Sequence, residues 1–184
     1  MYGLVNRAVE DLVSERFGLQ AWQRIKQRAG LDIELFISMD AYPDDVTYRL
    51  VAAASEELGL SAEQLLEAFG EYWVLYTAEQ GYGELLRMGG DTLLEFLQNL
   101  HDLHTHVALG FPQLQPPSFW LTDAGEGSVR LHYQSQRAGL APMVVGLLKG
   151  LGRRFDTPVS VEHACRREDG AAHDEFLVHL GGAQ

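Results

Sequence analysis

Residues 96–119, FLQNLHDLHTHVALGFPQLQPPSF, contain the point at which the pattern of this chain changes. Before it, apolar residues recur every three or four positions, which is typical of amphipathic helices. After the double proline 116–117 the period changes to the shorter one that is typical of strands. A proline pair ends a helix because proline lacks the N–H that the helical hydrogen bond requires. The stretch therefore predicts an α+β fold, with a helical N-terminal part followed by a sheet.

The helices predicted upstream of this point carry start and stop signals. The first covers residues 4–13, and the second is LQAWQRIKQRAG. The third, PDDVTYRLVAAASEELGL, has acids in its first turn and ends at Gly59. SAEQLLEAFGEYWVLYTAEQ follows a capping box formed by Ser61 and Gln64. DTLLEFLQNLHDLHTHVALGF is predicted as one helix with Asp91 as its N-cap.

Downstream, the segments SFWLTDA and SVRLHYQSQR predict two strands joined by GEG. LAPMVVGLLKGLGRRF predicts a helix, and PVSVEHACRRE with DEFLVHLG predicts a terminal hairpin. We expect a small antiparallel sheet of about four strands with helices packed against it. The 184 residues suit a single domain, 1–184, with a helical part at about 1–62 and a second part at about 63–184.

Composition narrows the possible functions. The formal net charge of −12 argues against binding to nucleic acid or to anionic membrane surfaces. The single cysteine, Cys165, excludes a disulfide within the chain and a zinc or iron–sulfur site built on cysteines. The N-terminus lacks the pattern of a signal peptide, and no run approaches the roughly 20 apolar residues of a membrane helix. We therefore expect a cytoplasmic protein that does not interact with membranes.

Three histidines lie within six positions, at His101, His104 and His106. An apolar stripe at helical spacing places His104 on the buried face, and its members are Leu97, Leu100, Leu103, Val107 and Phe111. A lone histidine on such a face is most often structural. A zinc site would need further convergent ligands, whereas haem iron needs only one protein ligand. The residues alone leave these uses open.

A second candidate group is the motif Y-x-S-x-R, formed by Tyr133, Ser135 and Arg137. If residues 129–136 form a strand, these side chains point to the same side. Phenol, hydroxyl and guanidinium are hydrogen-bond donors that suit a pair of carboxylates, although a solvent-facing edge strand would show the same pattern. A third feature is the aromatic stretch FGEYWVLY, which is mostly core but includes Trp73 as a candidate to line a pocket.

Taken together, MYGLVN, FLQNLHDLHTH, PPSF and YQSQR resemble the H-NOX family of haem nitric oxide/oxygen-binding domains. VAAASEELGL and FGEYW extend this similarity, which runs from Met1 to about residue 165. The chain looks especially similar to stand-alone cyanobacterial members, and it also resembles the haem domain of the soluble guanylate cyclase beta subunit. Y-x-S-x-R together with the upstream histidine and P-S-F is specific, whereas each element alone is not.

The resemblance implies haem b (protoporphyrin IX iron) held between the two parts of the domain, with His104 as the iron ligand. It implies that the Tyr133, Ser135 and Arg137 side chains bind the haem propionates. It also implies that Pro117 presses on the haem and distorts it from planarity. The remaining cofactor-binding positions that it implies are Trp73 and Met143 in the distal pocket, with Met1, Tyr2 and Val5.

The resemblance also implies a gas sensor rather than an enzyme. Family members that hold O₂ use a distal tyrosine, and the matching helix here, AGLAPMVVGLLKG, has none. Met143 cannot donate a hydrogen bond to O₂. We therefore expect ferrous haem to bind NO and CO and to exclude O₂.

We expect NO to weaken the bond between iron and His104 and so to move the His104 helix. The signal would pass to a separate protein, such as a histidine kinase or a cyclic-nucleotide enzyme. Three alternatives remain: an O₂ sensor that uses Trp73 as distal donor, a haem peroxidase-like enzyme, and a helical interaction module without cofactor.

Overall fold

The computed structural model describes residues 1–125 and 127–181, with the backbone alone at residues 78–81 and 85. The chain forms two compact units, Met1–Phe69 and Gly70–Gln184. The boundary between them lies inside the fourth helix, whereas the sequence suggested a division just ahead of that helix, at about residue 62.

The first unit is helical. Buried apolar side chains form its interior, among them Trp22, Phe36 and Leu50. A buried polar link joins its first and third helices, because the Thr47 hydroxyl donates a 2.7 Å hydrogen bond to the side-chain oxygen of Asn6. Its helices are α1 (Gly3–Phe17), α2 (Leu19–Arg28), α3 (Asp44–Leu58) and the larger part of α4 (Ala62–Tyr72).

The local signals that delimit α3 and α4 act as predicted. Gly59 follows α3 with φ 65°, a left-handed conformation that glycine adopts without steric cost. The Ser61 hydroxyl accepts from the Gln64 N–H at 3.1 Å, and the Gln64 side chain accepts from the Ser61 N–H at 2.9 Å. The predicted capping box is therefore confirmed.

The second unit begins with a departure from regular helix. The six residues Trp73–Ala78, expected to continue α4 as an α-helix, form a π-helical segment. The later helices of this unit are α5 (Glu79–Met88), α6 (Leu93–Gln98), α7 (Leu100–Gly110) and α8 (Ala141–Arg154).

The predicted helix over residues 91–111 is two helices, α6 and α7, which meet at Asn99. The Asn99 side chain donates a 3.0 Å hydrogen bond to the carbonyl of Gly89. This bond holds the junction of α6 and α7 against the end of α5. The predicted N-cap was also wrong by one residue. Thr92 caps α6 and forms a reciprocal capping box with Glu95, while the Asp91 N–H donates to the same Glu95 carboxylate.

The sheet confirms the expected four antiparallel strands. They pair in the order β1-β2-β4-β3, so that β2 lies between β1 and the last strand of the chain. Leu131, Phe176 and Val178 lie on its inner face, in one core with Leu148 of α8 and Phe96 of α6. The strands are β1 (Ser118–Asp123), β2 (Ser128–Gln134), β3 (Val159–Cys165) and β4 (Asp174–Leu180).

The helical unit followed by helices around an antiparallel sheet is the α+β architecture that the sequence predicts. Among the described residues, no helix combines the length and the apolar character that crossing a bilayer would require.

Candidate functional site

His104 differs from its two neighbouring histidines in burial. It is half-buried in α7, whereas His101 and His106 are exposed, as the apolar stripe predicts. Its Nδ1 lies 2.7 Å from the carbonyl oxygen of Leu100, one helical turn back. A carbonyl only accepts, so Nδ1 carries the proton and Nε2 keeps its lone pair.

Burial lowers the pKa of His104, and the nearby His101 acts in the same direction, against the hydrogen bond to the Leu100 carbonyl. The ring is therefore held neutral at physiological pH. His106 has the same local hydrogen bond, 2.8 Å from Nδ1 to the Asp102 carbonyl, but lies in solvent. Burial, rather than the local hydrogen bond, distinguishes His104.

An aromatic row connects His104 to the sheet. The ring of Phe119 lies 5.3 Å from the His104 ring, centroid to centroid, and 5.3 Å from the ring of Tyr133. Phe119 and Tyr133 are directly opposed across β1 and β2, so the register of the strands sets this arrangement. Both are buried.

The Y-x-S-x-R motif does not lie on one strand. β2 ends at Gln134, so the expected alternation was wrong for Ser135 and Arg137. The chain instead turns, and the Ser135 hydroxyl accepts a 3.1 Å hydrogen bond from the Arg137 N–H. A short local hydrogen bond of this kind competes with extension of the strand.

The turn places the Arg137 guanidinium against the segment that leads into β1. Its Nη1 donates to the carbonyl of Gln115 at 2.9 Å. Pro117, half-buried, follows two residues later and directly precedes β1. Arg167, which the sequence did not single out, donates from Nη1 to the Ser135 carbonyl at 2.7 Å. The second unit thus brings Tyr133, Ser135, Arg137 and the Pro117 segment together at one end of β2.

Trp73 and Met143 lie on two elements of the same unit that approach closely. Met143 is in α8, and Trp73 opens the π-helical segment; both are half-buried. A Cβ at Gly70, three residues before Trp73, would lie 2.2 Å from the Met143 carbonyl oxygen. Only glycine permits this approach.

Met1, Tyr2 and Val5 belong to the first unit. The amino group of Met1 donates to the Tyr42 carbonyl and to the Asp44 carboxylate, each at 2.6 Å. Tyr2 is buried and forms a β-bridge with Ala41, and Val5 is half-buried in α1. This unit therefore has an anchored N-terminus.

The chemistry of the donor set fits a haem. Haem iron can be held by a single neutral histidine nitrogen, and His104 beside the apolar ring of Phe119 offers one. Two propionates need cationic and hydroxyl donors, which Tyr133, Ser135 and Arg137 supply at one end of β2. These are the residues that would hold the group.

One cluster of candidate ligands was missed in the sequence. Among the described residues, His132, His173 and Glu175 bring one ligand atom each within 4.8 Å of one another. His173 and Glu175 are two positions apart, a spacing that places side chains on one side of extended chain. His132 joins them only because β2 pairs with β4, which is not its neighbour in sequence.

Comparison with known proteins identifies the family. The Haem-NO-binding family model (HNOB) matches residues 2–163. The chain is similar to soluble guanylate cyclase gcy-35 of Caenorhabditis elegans, 33% identical over 177 residues that cover 92% of this chain and 25% of that protein. It is also similar to soluble guanylate cyclase gcy-32 of the same organism, 31% identical, covering 98% of this chain and 28% of that protein. The chain spans about a quarter of the length of these relatives.

Solved structures share the fold. An H-NOX protein from S. oneidensis in the Fe(II)NO ligation state gives a TM-score of 0.90 at 19% identity, covering 99% of this chain and 100% of that chain. An Fe(II) unliganded H-NOX protein from K. algicida gives a TM-score of 0.86 at 22% identity, covering 100% and 98%. Since the family model covers most of the chain, the protein belongs to the Haem-NO-binding (H-NOX) family of haem-binding gas-sensor domains.

Proposed function

We propose that this chain is a sensor for NO that holds haem b through His104 and has no catalytic activity of its own. The observation that carries the proposal is the state of the His104 ring. Its Nδ1 is engaged by the Leu100 carbonyl, and burial lowers its pKa, so Nε2 is a neutral, oriented ligand. When bound, haem supplies the iron on which a diatomic gas is taken up.

Tyr133, Ser135 and Arg137 would bind the haem propionates. Arg137 carries the charge, and its contact with the Gln115 carbonyl holds the guanidinium beside the segment that ends at Pro117. The Ser135 hydroxyl accepts from the Arg137 N–H, which fixes the turn itself. Pro117 would press on the face of the haem.

The choice of NO and CO over O₂ follows from the donors available. A bound O₂ carries partial negative charge and is held by a hydrogen-bond donor. α8 contains no tyrosine, and Met143 has only a thioether, a weak acceptor. The indole N–H of Trp73 is the donor that the O₂-sensor alternative would use.

The helix that carries His104 is suited to movement. None of the residues of α7 is fully buried, whereas α8 buries residues along its whole length. A helix with few buried contacts shifts at a low free-energy cost. If gas binding released His104 from the haem iron, α7 would be held mainly by half-buried contacts. Displacement of α7 would then carry the signal to a histidine kinase or a cyclic-nucleotide enzyme on a separate protein.

The first experiment tests the ligand. The visible spectrum of the ferrous protein is recorded for the wild type, His104→Gly and His106→Gly. His106 is the matched control, because it has the same local hydrogen bond but is exposed. We expect His106→Gly to keep the wild-type spectrum and His104→Gly to lose it until imidazole is added. An unchanged His104→Gly spectrum without imidazole would overturn the assignment.

The second experiment tests the gas. The ferrous wild type and Trp73→Phe are exposed in turn to NO, CO and air. We expect both proteins to take up NO and CO and neither to form a stable oxygen complex. A stable oxygen complex in the wild type that is lost in Trp73→Phe would establish the O₂-sensor alternative.

The third experiment tests the movement. Hydrogen exchange of the α7 amides is compared in the ferrous protein with and without NO. We expect faster exchange in α7 with NO and unchanged exchange in α8. Equal exchange of α7 in both states would contradict signalling by this helix.

A further inference from the structure

A polar cluster lies on the outer face of the sheet, opposite the core face that carries Leu131 and Phe176. Successive residues of a strand point to opposite faces, so His132 and Glu175 point outward. The two are directly opposed across β2 and β4. His173, immediately before β4, completes the cluster. His104 is not part of it.

The three ligand atoms form a compact triangle. His132 Nδ1 lies 2.9 Å from His173 Nε2 and 3.6 Å from Glu175 Oε1. His173 Nε2 lies 3.5 Å from the same Glu175 oxygen. Zinc bound tetrahedrally to nitrogen and oxygen sets its ligand atoms about 3.3 Å apart. The triangle is therefore close to the size that one such ion requires.

Thr122 and Arg130 orient these side chains by hydrogen bonds, as the hydrogen-bond partners of metal ligands do in known metal sites. The Thr122 hydroxyl lies 2.9 Å from His132 Nε2 and can accept a hydrogen bond from an Nε2–H, which leaves the lone pair on Nδ1. Arg130 donates to the other carboxylate oxygen of Glu175 at 2.9 Å, so that Oε1 is the oxygen turned toward the two rings. A metal ion would replace the proton that the two rings share.

Charge and burial support the same use. Burial lowers the pKa of His132, and the Glu175 carboxylate offsets only part of this effect. Burial alone would raise the pKa of Glu175, but the hydrogen bond from Arg130 lowers it. The lowered pKa of His132 favours its neutral imidazole and the lowered pKa of Glu175 favours its carboxylate, and these are the forms in which such side chains bind zinc.

Trp120 covers the cluster from one side. Its ring stacks on His132 at a centroid distance of 5.0 Å and an interplanar angle of 1°, and lies 4.8 Å from the His173 ring. His173 and Glu175 are only half-buried, so the fourth position of a tetrahedral ion would face solvent. We propose that His132, His173 and Glu175 form a binding site for a zinc-type divalent transition-metal ion.

The test uses the full chain without a histidine tag, treated with chelator and then dialysed against ZnCl₂. After gel filtration, zinc and haem are measured on the same sample. We expect about one zinc ion per chain in the wild type. His173→Ala and His132→Asn each remove a proposed ligand and should weaken zinc binding at least tenfold. Loss of a residue that only orients a metal ligand already costs roughly 10–100-fold in metal affinity.

His179→Ala is the matched control. His179 lies on β4 as well, hydrogen-bonded to Ser128 at 2.8 Å and outside the cluster. We expect this variant, and His106→Gly at an exposed position of α7, to bind zinc as the wild type does. A wild type that retains no zinc, a His173→Ala variant that retains it fully, or a His179→Ala variant that loses it would each overturn the proposal.

Thermal unfolding shows whether each variant is folded, so that loss of zinc binding is not mistaken for loss of the fold. Zinc should raise the Tm of the wild type and of His179→Ala but not that of His173→Ala, since an ion that binds only the folded state stabilises it. Thr122→Val, which keeps the shape of the side chain and removes the acceptor, should bind zinc about tenfold more weakly. Wild-type affinity in Thr122→Val together with a zinc-induced Tm rise in His173→Ala would contradict the site.

Discussion

The ring of His104 on α7 packs against the ring of Phe119 on β1, with a centroid distance of 5.3 Å. This contact joins the helix that would carry the iron ligand to the strand that follows Pro117. Phe119 in turn packs against Tyr133 across the strand pair. The candidate ligand and the candidate propionate motif are therefore connected through one buried side chain.

Phe119→Ala should lower the free energy of unfolding by about 3–5 kcal/mol, the usual cost of removing a buried phenylalanine. Phe119 is 5% exposed. Phe17→Ala, at a side chain that is 46% exposed, should change stability by less than about 0.5 kcal/mol. Urea unfolding followed by circular dichroism measures the free energy of unfolding of both variants. Equal losses in the two would contradict the role of Phe119 as a buried core residue.

Arg137→Gln should speed loss of haem to an excess of a haem-accepting protein. A hydrogen bond to a charged group is worth about 1.5–3 kcal/mol, which corresponds to a weakening of about 10–150-fold. Arg137→Lys should lose haem at a rate between those of the wild type and Arg137→Gln, because lysine keeps the charge but not the planar guanidinium. Arg7→Gln, at an exposed arginine of the first unit, serves as control. Wild-type haem loss in Arg137→Gln would count against a propionate role.

Gly70→Ala and Gly110→Ala should shift stability in opposite directions. The Cβ at Gly70 would collide with the Met143 carbonyl, a backbone atom that cannot yield cheaply, so we expect a loss of about 1–3 kcal/mol. At Gly110, the last residue of α7, a Cβ meets nothing within 4 Å, and alanine should stabilise by about 0.4–1 kcal/mol. Thermal unfolding compares the pair; a neutral Gly70→Ala would show that the backbone at Gly70 can move away from α8 without cost.

Glu57 should make stability depend on pH. Its hydrogen bond from Arg24 lowers the pKa of the carboxyl below its ordinary value of 4.5. A folded-state pKa below the unfolded one stabilises the protein above the unfolded value, and this contribution is lost as the pH falls through the folded value. Glu57→Gln should therefore be slightly less stable than the wild type at pH 7 and equally stable at low pH. A difference that persists in strong acid would point to another cause.

Several features could be predicted from sequence because they depend on neighbours in the chain. The capping box at Ser61 and Gln64 and the end of α3 at Gly59 follow from backbone hydrogen bonds within one turn. The half-buried position of His104 follows from helical periodicity, since residues three and four apart share a face.

Other features were not predicted, because the apolar period of the sequence does not mark them. The π-helical segment at Trp73–Ala78 and the break at Asn99 interrupt patterns that read as continuous helices. Ser135 and Arg137 leave the strand because a local hydrogen bond in the turn competes with the ladder. Strand-like spacing in the sequence is the same for a side chain on a strand and one just beyond it.

The sequence by itself determined the α+β class, the strands and the family, because hydrophobic period and short motifs are local properties. Only the tertiary structure decided that Phe119 lies between His104 and Tyr133, and that His132 meets His173 and Glu175. The order of the strands in the sheet and the register between them create both arrangements. These depend on packing of the whole core, where many weak contacts between residues far apart in sequence select one pairing.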